Sequence, residues 1–183
     1  MVAAGLRGWD AVGIEPSGWA RERALSRGLD VRPGDIFDNG LPLASFRLAV
    51  LCDVLEHTEE PVPSLTAIAA LLEPGGAVYI TVPNAGSPVA RVLGRRWWSI
   101  LPMHLQYFTP DSLSLALQRA GFSVVWSHSH AKAFSARYYA ERLAGYSAGL
   151  GAAAVGIVER TGLAGRMVAP NFFDRRAVIA TRS

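Results

Sequence analysis

Ala11-Val-Gly-Ile-Glu-Pro-Ser17 and Leu48-Ala-Val-Leu-Cys-Asp-Val-Leu-Glu-His57 are the two stretches that decide the fold of this sequence. Each is a short apolar run that ends abruptly at an acidic residue. Continuous apolar runs of this length are typical of strands buried inside a parallel sheet. The carboxyl ends of such strands face the ligand crevice of an open α/β sheet. We therefore expect Glu15 and Asp53 to lie beside a polar ligand.

The composition indicates one globular domain, residues 1–183. Half of the 183 residues are hydrophobic and 18% are charged, which provides a full core and argues against disorder. The net charge of +3 is too small to indicate nucleic-acid binding, and Lys132 is the only lysine. The single cysteine, Cys52, excludes an internal disulfide and a cysteine metal cluster, as expected in a reducing cytoplasm.

Two stretches of the sequence are candidate membrane segments, and neither is expected to insert into a membrane. Residues 1–8 show no charged segment followed by an apolar core, so no secretory signal is expected. The stretch from Leu143 to Val158 is uncharged, but its sixteen residues include four glycines and fall short of the roughly 20 needed to span a bilayer. We expect a buried or interface helix here rather than membrane contact. Its part from Leu150 to Val158 is a candidate homodimer surface.

Strands alternate with helices along the chain, which predicts an α/β, Rossmann-like, doubly wound and mostly parallel sheet. Ser17, Pro61 and Thr109 are residue types that begin helices. The predicted strands are 11–15, 30–32, 46–52, 77–82, 122–127 and 177–181, and the predicted helices are 19–26, 61–72, 109–121 and one long helical stretch over 133–161, within a C-terminal segment of about 133–170.

The first motifs, taken in order, resemble those of class I S-adenosylmethionine-dependent methyltransferases. Gly13-Ile-Glu15-Pro-Ser17 is similar to the strand end that binds the ribose of the cofactor. Gly34-Asp35-Ile36 is similar to the turn that binds adenine, and Cys52-Asp-Val-Leu-Glu-His57 to the segment beneath the methionine part. The resemblance implies that the cofactor is S-adenosylmethionine.

The later motifs narrow the resemblance. Leu71-Leu-Glu-Pro-Gly-Gly-Ala-Val-Tyr-Ile-Thr-Val-Pro-Asn84 matches the helix, Pro-Gly-Gly turn and strand of the family. His104-Leu-Gln-Tyr-Phe-Thr-Pro-Asp-Ser-Leu113, followed by Ala120-Gly-Phe122, resembles the subgroup that includes ubiquinone-biosynthesis and sugar or lipid O-methyltransferases. The match covers about residues 5–127, and the last third fits only loosely. It implies O-methylation of a small molecule by direct, metal-free transfer, and not a nucleic-acid substrate.

The sequence departs from the family pattern in two places. Phe46-Arg47 stands where an acidic residue is usual, at a position far from the transferred methyl group. More seriously, no Gly-x-Gly loop precedes Glu15, although that loop lets backbone amides approach the cofactor. We therefore expect an N-terminally truncated copy of a longer enzyme. The alternative is a non-catalytic, methyltransferase-like binding or assembly protein.

The resemblance implies a set of cofactor contacts, although several of these residues also have structural interpretations. Glu15 can be an exposed acid at a strand end, and Asp38 competes with Asp35 for the adenine role. Asp53 can be a helix-cap acid, and for Glu56 the structural interpretation is favoured. The implied cofactor contacts are Glu15, Pro16, Ser17, Gly34, Asp35, Ile36, Cys52, Asp53, Val54 and His57.

His104 is the candidate catalytic base, because a neutral imidazole can accept the proton that an acceptor hydroxyl loses. The alternative is catalysis by positioning and desolvation alone. Residues 84–108 are expected to cap the acceptor, and their arginines and tryptophans either bind an anionic acceptor or form a lid. Histidines and acids show no metal-ligand spacing, so no metal site is expected. The candidate substrate residues are Asn84, Trp97, Trp98 and Tyr107.

Overall fold

The computed structural model describes residues 1–183 as eight strands, seven α-helices and two 3₁₀ turns. The strands are β1 (Gly13–Ile14), β2 (Val31–Arg32), β3 (Phe46–Cys52), β4 (Leu72–Pro83), β5 (Phe122–Ser129), β6 (Phe134–Ser135), β7 (Met167–Val168) and β8 (Arg175–Arg182). The helices are α1 (Val2–Gly5), α2 (Gly18–Leu25), α3 (Pro61–Leu71), α4 (Pro88–Leu93), α5 (Pro110–Arg119), α6 (Ala136–Leu143) and α7 (Ala148–Arg160), and the 3₁₀ turns are Leu55–His57 and Gly94–Arg96.

The main sheet has four strands in the order β3-β4-β8-β5. β3 and β4 are parallel, whereas β8 runs antiparallel to both of its neighbours. β3, β4 and β5 therefore run in the same direction and β8 alone opposes them, so the predicted α/β fold with a mostly parallel sheet is confirmed. The chain leaves β5 and re-enters β8 at the same end of the sheet, where the His130 amide donates to the Arg175 carbonyl. A return at the same end produces antiparallel pairing without a crossover.

β1 and β2 form a separate two-stranded parallel sheet. β3 is consequently an edge strand, although its sequence predicted an interior one. Leu48 and Val50 on this strand are exposed, Val50 to 58%. An unpaired strand edge carries free backbone donors and acceptors. The chain places no strand beside that edge of β3, and the expected N-terminal truncation stays a prediction.

The core lies where α3 and α5 pack against the four-stranded sheet. Eighteen buried residues form one cluster, which includes Leu65 and Ile68 from α3, Leu113 and Leu117 from α5, and Ile80 from β4. β4 is buried along its final four residues, up to Pro83. This packing fixes the carboxyl ends of β3 and β4, from which the site residues project.

The predicted helical stretch over 133–161 is broken into several elements. β6 pairs with β7, and α6 and α7 are separated by a turn in which the Ser147 hydroxyl caps α7. The two helices pack closely, since a Cβ added at Gly151 would lie 2.6 Å from Ala144. Leu150 and Ile157 on α7 are exposed, so the helix is not buried within the chain, and the alternative of an interface helix stays a prediction. None of the helices has the length and apolar character that crossing a membrane requires.

Candidate functional site

Glu15 lies half-buried directly after β1, as predicted for a strand-end acid. Its Oε1 accepts a hydrogen bond of 2.8 Å from the Ser17 amide, which leaves the other carboxylate oxygen free. Ser17 in turn caps α2 by accepting from the Ala20 amide, and Pro16 is exposed between them. The turn thus holds the carboxylate in one orientation, and its second oxygen remains able to accept a hydrogen bond.

Asp35 organises the turn after β2. Its Oδ1 accepts from the amides of Asp38 at 2.9 Å and Phe37 at 2.7 Å, and these bonds lower the pKa of Asp35. Gly34 has a φ of +126°, and a Cβ there would lie 2.0 Å from the Asp38 carbonyl oxygen, so only glycine fits. Ile36 packs against the main core cluster. The carboxylate has one free oxygen, directed by a rigid turn.

Asp53 lies at the end of β3 and is neutralised by two cations. Its carboxylate pairs with Lys132 at 2.6 Å and with Arg175 of β8. Its backbone has a φ of 57° and its amide donates to Thr81 of β4. Neither cationic partner was predicted from the sequence. The one feature of the sequence that singled out either partner is that Lys132 is the only lysine. Cys52 and Val54, on either side of Asp53, are exposed.

Glu56, His57 and His104 form a cluster that sequence spacing did not predict. One ligand atom from each lies within 4.8 Å of the others. Glu56 is 1% exposed, burial raises its pKa, and its Oε2 has no hydrogen-bond partner. The two imidazole rings meet edge to face with centroids 4.8 Å apart. The sequence predicted no metal site because these residues lack metal-ligand spacing along the chain, and their proximity arises only in the folded structure.

Both imidazoles in the cluster are held by backbone carbonyls. His57 Nδ1 lies 2.9 Å from the Met103 oxygen, and His104 Nδ1 lies 2.8 Å from the Ser99 oxygen. A carbonyl only accepts, so each Nδ1 carries the proton and each neutral ring keeps a lone pair on Nε2. Burial is the main influence on His104 and lowers its pKa, which favours this neutral form.

The four candidate substrate residues have different surroundings. Tyr107 is exposed and its ring centroid lies 6.4 Å from that of His104. Asn84 donates to the Phe173 carbonyl and accepts from the Gly86 amide. Trp98 donates to Asp174 at 2.7 Å, and Trp97 is buried with an unpartnered Nε1. Only Tyr107 lies next to His104, whereas Asn84 and Trp98 anchor the segment before β8.

A cavity of about 630 Å³ lies between residues 95–100 and the C-terminal end of α6. Arg142 lines it and donates to the Trp98 carbonyl and the Tyr138 hydroxyl. Arg142 was not predicted to lie beside the tryptophans, because it is 44 residues from Trp98 along the chain. The other residues that line the cavity are Arg95, Arg96, Trp97, Trp98, Ile100, Glu141, Gly145 and Tyr146.

The candidate residues fall into two groups. Glu15 and Asp35 follow the parallel neighbours β1 and β2. Residues 52–57, Asn84 and the loop that carries His104 lie at the carboxyl ends of β3 and β4, which are also parallel neighbours. The Glu56 carbonyl accepts from the Leu105 and Gln106 amides and joins that loop to the 3₁₀ turn. The two groups are attached to different sheets.

Comparison with known proteins identifies the family. Residues 2–127 match a family model described as a methyltransferase domain. The ubiquinone biosynthesis O-methyltransferase of Aeromonas salmonicida (strain A449) is 27% identical over 124 residues, which are 62% of this chain and 52% of that protein. The chain thus spans about half the length of this curated relative.

Solved structures share the fold. A SAM-dependent methyltransferase from Thermotoga maritima, described as a possible histamine N-methyltransferase, aligns with 99% of this chain and 76% of its own at a TM-score of 0.64 and 17% identity. The [4+2]-cyclase SpnF aligns with 93% of this chain and 66% of its own at a TM-score of 0.55 and 26% identity. The chain belongs to the methyltransferase domain family and has the Rossmann-like fold of class I S-adenosylmethionine-dependent methyltransferases.

Proposed function

We propose that the protein transfers a methyl group from S-adenosylmethionine to an oxygen of a small molecule. The family match over residues 2–127 supports methyl transfer, and the relative from Aeromonas salmonicida supports an oxygen acceptor. The observation that carries the proposal is the fixed tautomer of His104, with its Nδ1 held by Ser99 and its Nε2 lone pair free.

The residues after β1 and β2 fit the nucleoside part of the cofactor. Glu15 offers a carboxylate oxygen to the ribose hydroxyls, while its other oxygen is held by Ser17. Asp35 offers its free oxygen to the exocyclic amine of adenine, and Ile36 and Gly34 shape the turn around it. Residues 52–57 would lie along the methionine part. There the Asp53 charge is already matched by Lys132 and Arg175, so Asp53 serves to position this segment.

His104 accepts the acceptor's proton in this proposal. When bound, S-adenosylmethionine supplies an electrophilic methyl group. The acceptor hydroxyl would lose its proton to Nε2 of His104 as its oxygen takes the methyl group, with the sulfur–methyl bond breaking to leave neutral S-adenosylhomocysteine. The Ser99 carbonyl would stabilise the resulting imidazolium through Nδ1–H. The step requires no metal. Tyr107, whose ring lies beside His104, would contact the acceptor from the cap formed by residues 84–108.

A non-catalytic, methyltransferase-like binding protein is the second candidate. The division of the cofactor-side residues between two sheets favours it, because β1 and β3 are not hydrogen-bonded to each other. The [4+2]-cyclase SpnF also has this fold, so the fold alone does not determine the reaction. Retention of Glu15, Asp35 and the His104 tautomer supports the enzyme instead.

The test is transfer of a labelled methyl group to a panel of hydroxylated small molecules, using the wild type and two histidine variants. His104→Ala should lower turnover at least tenfold and change the affinity for S-adenosylhomocysteine little, because the ring contacts the acceptor proton. His128→Ala, at an exposed position on β5, is the matched control. Near-normal turnover of His104→Ala would exclude the base, and a folded, cofactor-binding chain that labels no oxygen would contradict the proposed reaction.

A further inference from the structure

Glu56 is a buried carboxylic acid with one oxygen that lacks a hydrogen-bond partner. Its side chain is almost fully buried, yet Oε2 accepts no hydrogen bond. An unpaired buried carboxylate is costly, and it is stabilised by a proton, a cationic side chain or a metal ion. The nearest titratable side chains are His57 and His104, each with a ring nitrogen within 4.8 Å of a Glu56 carboxylate oxygen, and Lys132 acts on Glu56 from further away.

The orientation of the two imidazoles matches that of metal-ligating histidines. Such histidines donate the ring N–H that does not face the metal to a carboxylate or a backbone carbonyl, which fixes the tautomer. His57 does so to Met103, and His104 does so to Ser99. In both rings Nε2 is thereby the nitrogen that remains to bind a cation.

The cluster is held rigidly by two segments that lie far apart in sequence. The Glu56 carbonyl accepts from the Leu105 amide at 2.8 Å and the Gln106 amide at 3.0 Å. The His57–Met103 bond adds a third connection between the same segments. Cation bonds of about 2.1 Å at tetrahedral angles place ligand atoms roughly 3.4 Å apart. The observed spacing of up to 4.8 Å is closed by an adjustment on the scale of side-chain torsions.

We propose that Glu56, His57 and His104 form a binding site for one divalent transition-metal cation of the zinc class. Two of the three ligands are imidazoles, which suit Zn²⁺ and Co²⁺, whereas Mg²⁺ and Ca²⁺ prefer all-oxygen ligands. The ligand set leaves a fourth position of the tetrahedron open.

The proposed metal site and the proposed catalytic base both use Nε2 of His104, so a bound metal ion would prevent His104 from acting as a base. The Nε2 lone pair of His104 binds either the cation or the proton of an acceptor. Occupancy by Zn²⁺ should therefore suppress the base role. Metal binding is measurable without cofactor or acceptor, so the two proposals succeed or fail separately.

The test is titration of the apo chain with Co²⁺, followed by visible absorption, and displacement by Zn²⁺. The wild type should bind one equivalent, with no displacement by Mg²⁺. Glu56→Gln and His104→Ala should each weaken binding at least tenfold, because each removes a ligand. His128→Ala is the control and should bind as the wild type does.

Circular dichroism of each variant shows whether it is folded. If the buried Glu56→Gln substitution unfolds the chain, the partly exposed His104→Ala variant decides the question. Absence of a tetrahedral cobalt spectrum in the folded wild type would overturn the site. Wild-type affinity in folded His104→Ala would overturn it equally, because the cation would then lie elsewhere.

Discussion

Glu15 and Asp35 share a physical arrangement at the scale of single residues. In each case one carboxylate oxygen accepts from amides of the same turn, at Ser17 for Glu15 and at Phe37 and Asp38 for Asp35. These local bonds hold the side chain in one orientation before any ligand arrives. A pre-oriented acceptor loses less entropy on binding, which favours affinity.

Replacement of Glu15 by alanine should weaken binding of S-adenosylhomocysteine at least tenfold, which corresponds to about 1.4 kcal/mol. The expected loss reflects removal of the acceptor for the ribose hydroxyls. Calorimetric titration measures it, and Glu22→Ala on the exposed face of α2 serves as the charge-matched control. Equal affinities for Glu15→Ala and the wild type would exclude the ribose role.

Local signals predicted part of the candidate site, and long-range contacts determined the remainder. Glu15 was identifiable because an acid follows an apolar run, and Ser17 because it is a preferred helix cap. The partners of Asp53 were not identifiable from the local sequence. Lys132 lies 79 residues from Asp53 along the chain, and Arg175 lies still further away, on β8. The burial of Glu56 depends equally on the later loop that contains His104.

Helix N-termini were the most predictable features at the scale of elements. Thr109 caps α5 by accepting from the Ser112 amide, and the Ser112 hydroxyl accepts from the Thr109 amide in return. The helix presents Leu113 and Leu117 to the core. Its start also determines where the loop with His104 ends. Stability of this cap and rigidity of the site are therefore connected.

Thr109→Ala should lower the free energy of unfolding by about 1 kcal/mol, because it removes the oxygen that accepts from the Ser112 amide in the first turn. Urea denaturation followed by circular dichroism provides the measurement. Ser114→Ala, in the same helix but outside the cap, should be neutral or slightly stabilising. Equal losses from the two substitutions would show that the cap contributes nothing.

The direction of β8 and the division of the C-terminal helical region could not be predicted from periodicity. A strand pattern does not encode whether its partner is parallel, and β8 is antiparallel because the preceding excursion returns to the same end of the sheet. The turn between α6 and α7 depends on the Ser147 cap and on the close approach of Gly151 to Ala144. The Ser147 cap is a local contact, whereas the approach of Gly151 to Ala144 is a packing contact between two stretches that look continuous in sequence.

At the scale of the whole molecule, the alternation of strands and helices was sufficient to predict the α/β class. It was not sufficient to predict that the strands would form three separate sheets, with β1 and β2 apart from β3. That separation leaves Leu48 and Val50 exposed on an edge strand. The cofactor-side residues are consequently attached to two sheets rather than to one.

Titration of S-adenosylhomocysteine into the 183-residue chain is the most direct test of the central claim, which is that the residues after β1, β2 and β3 act as one cofactor site. We expect saturable binding of one equivalent, observed by calorimetry with a chain shown to be folded by circular dichroism. A folded chain that takes up no S-adenosylhomocysteine at any accessible concentration would contradict it.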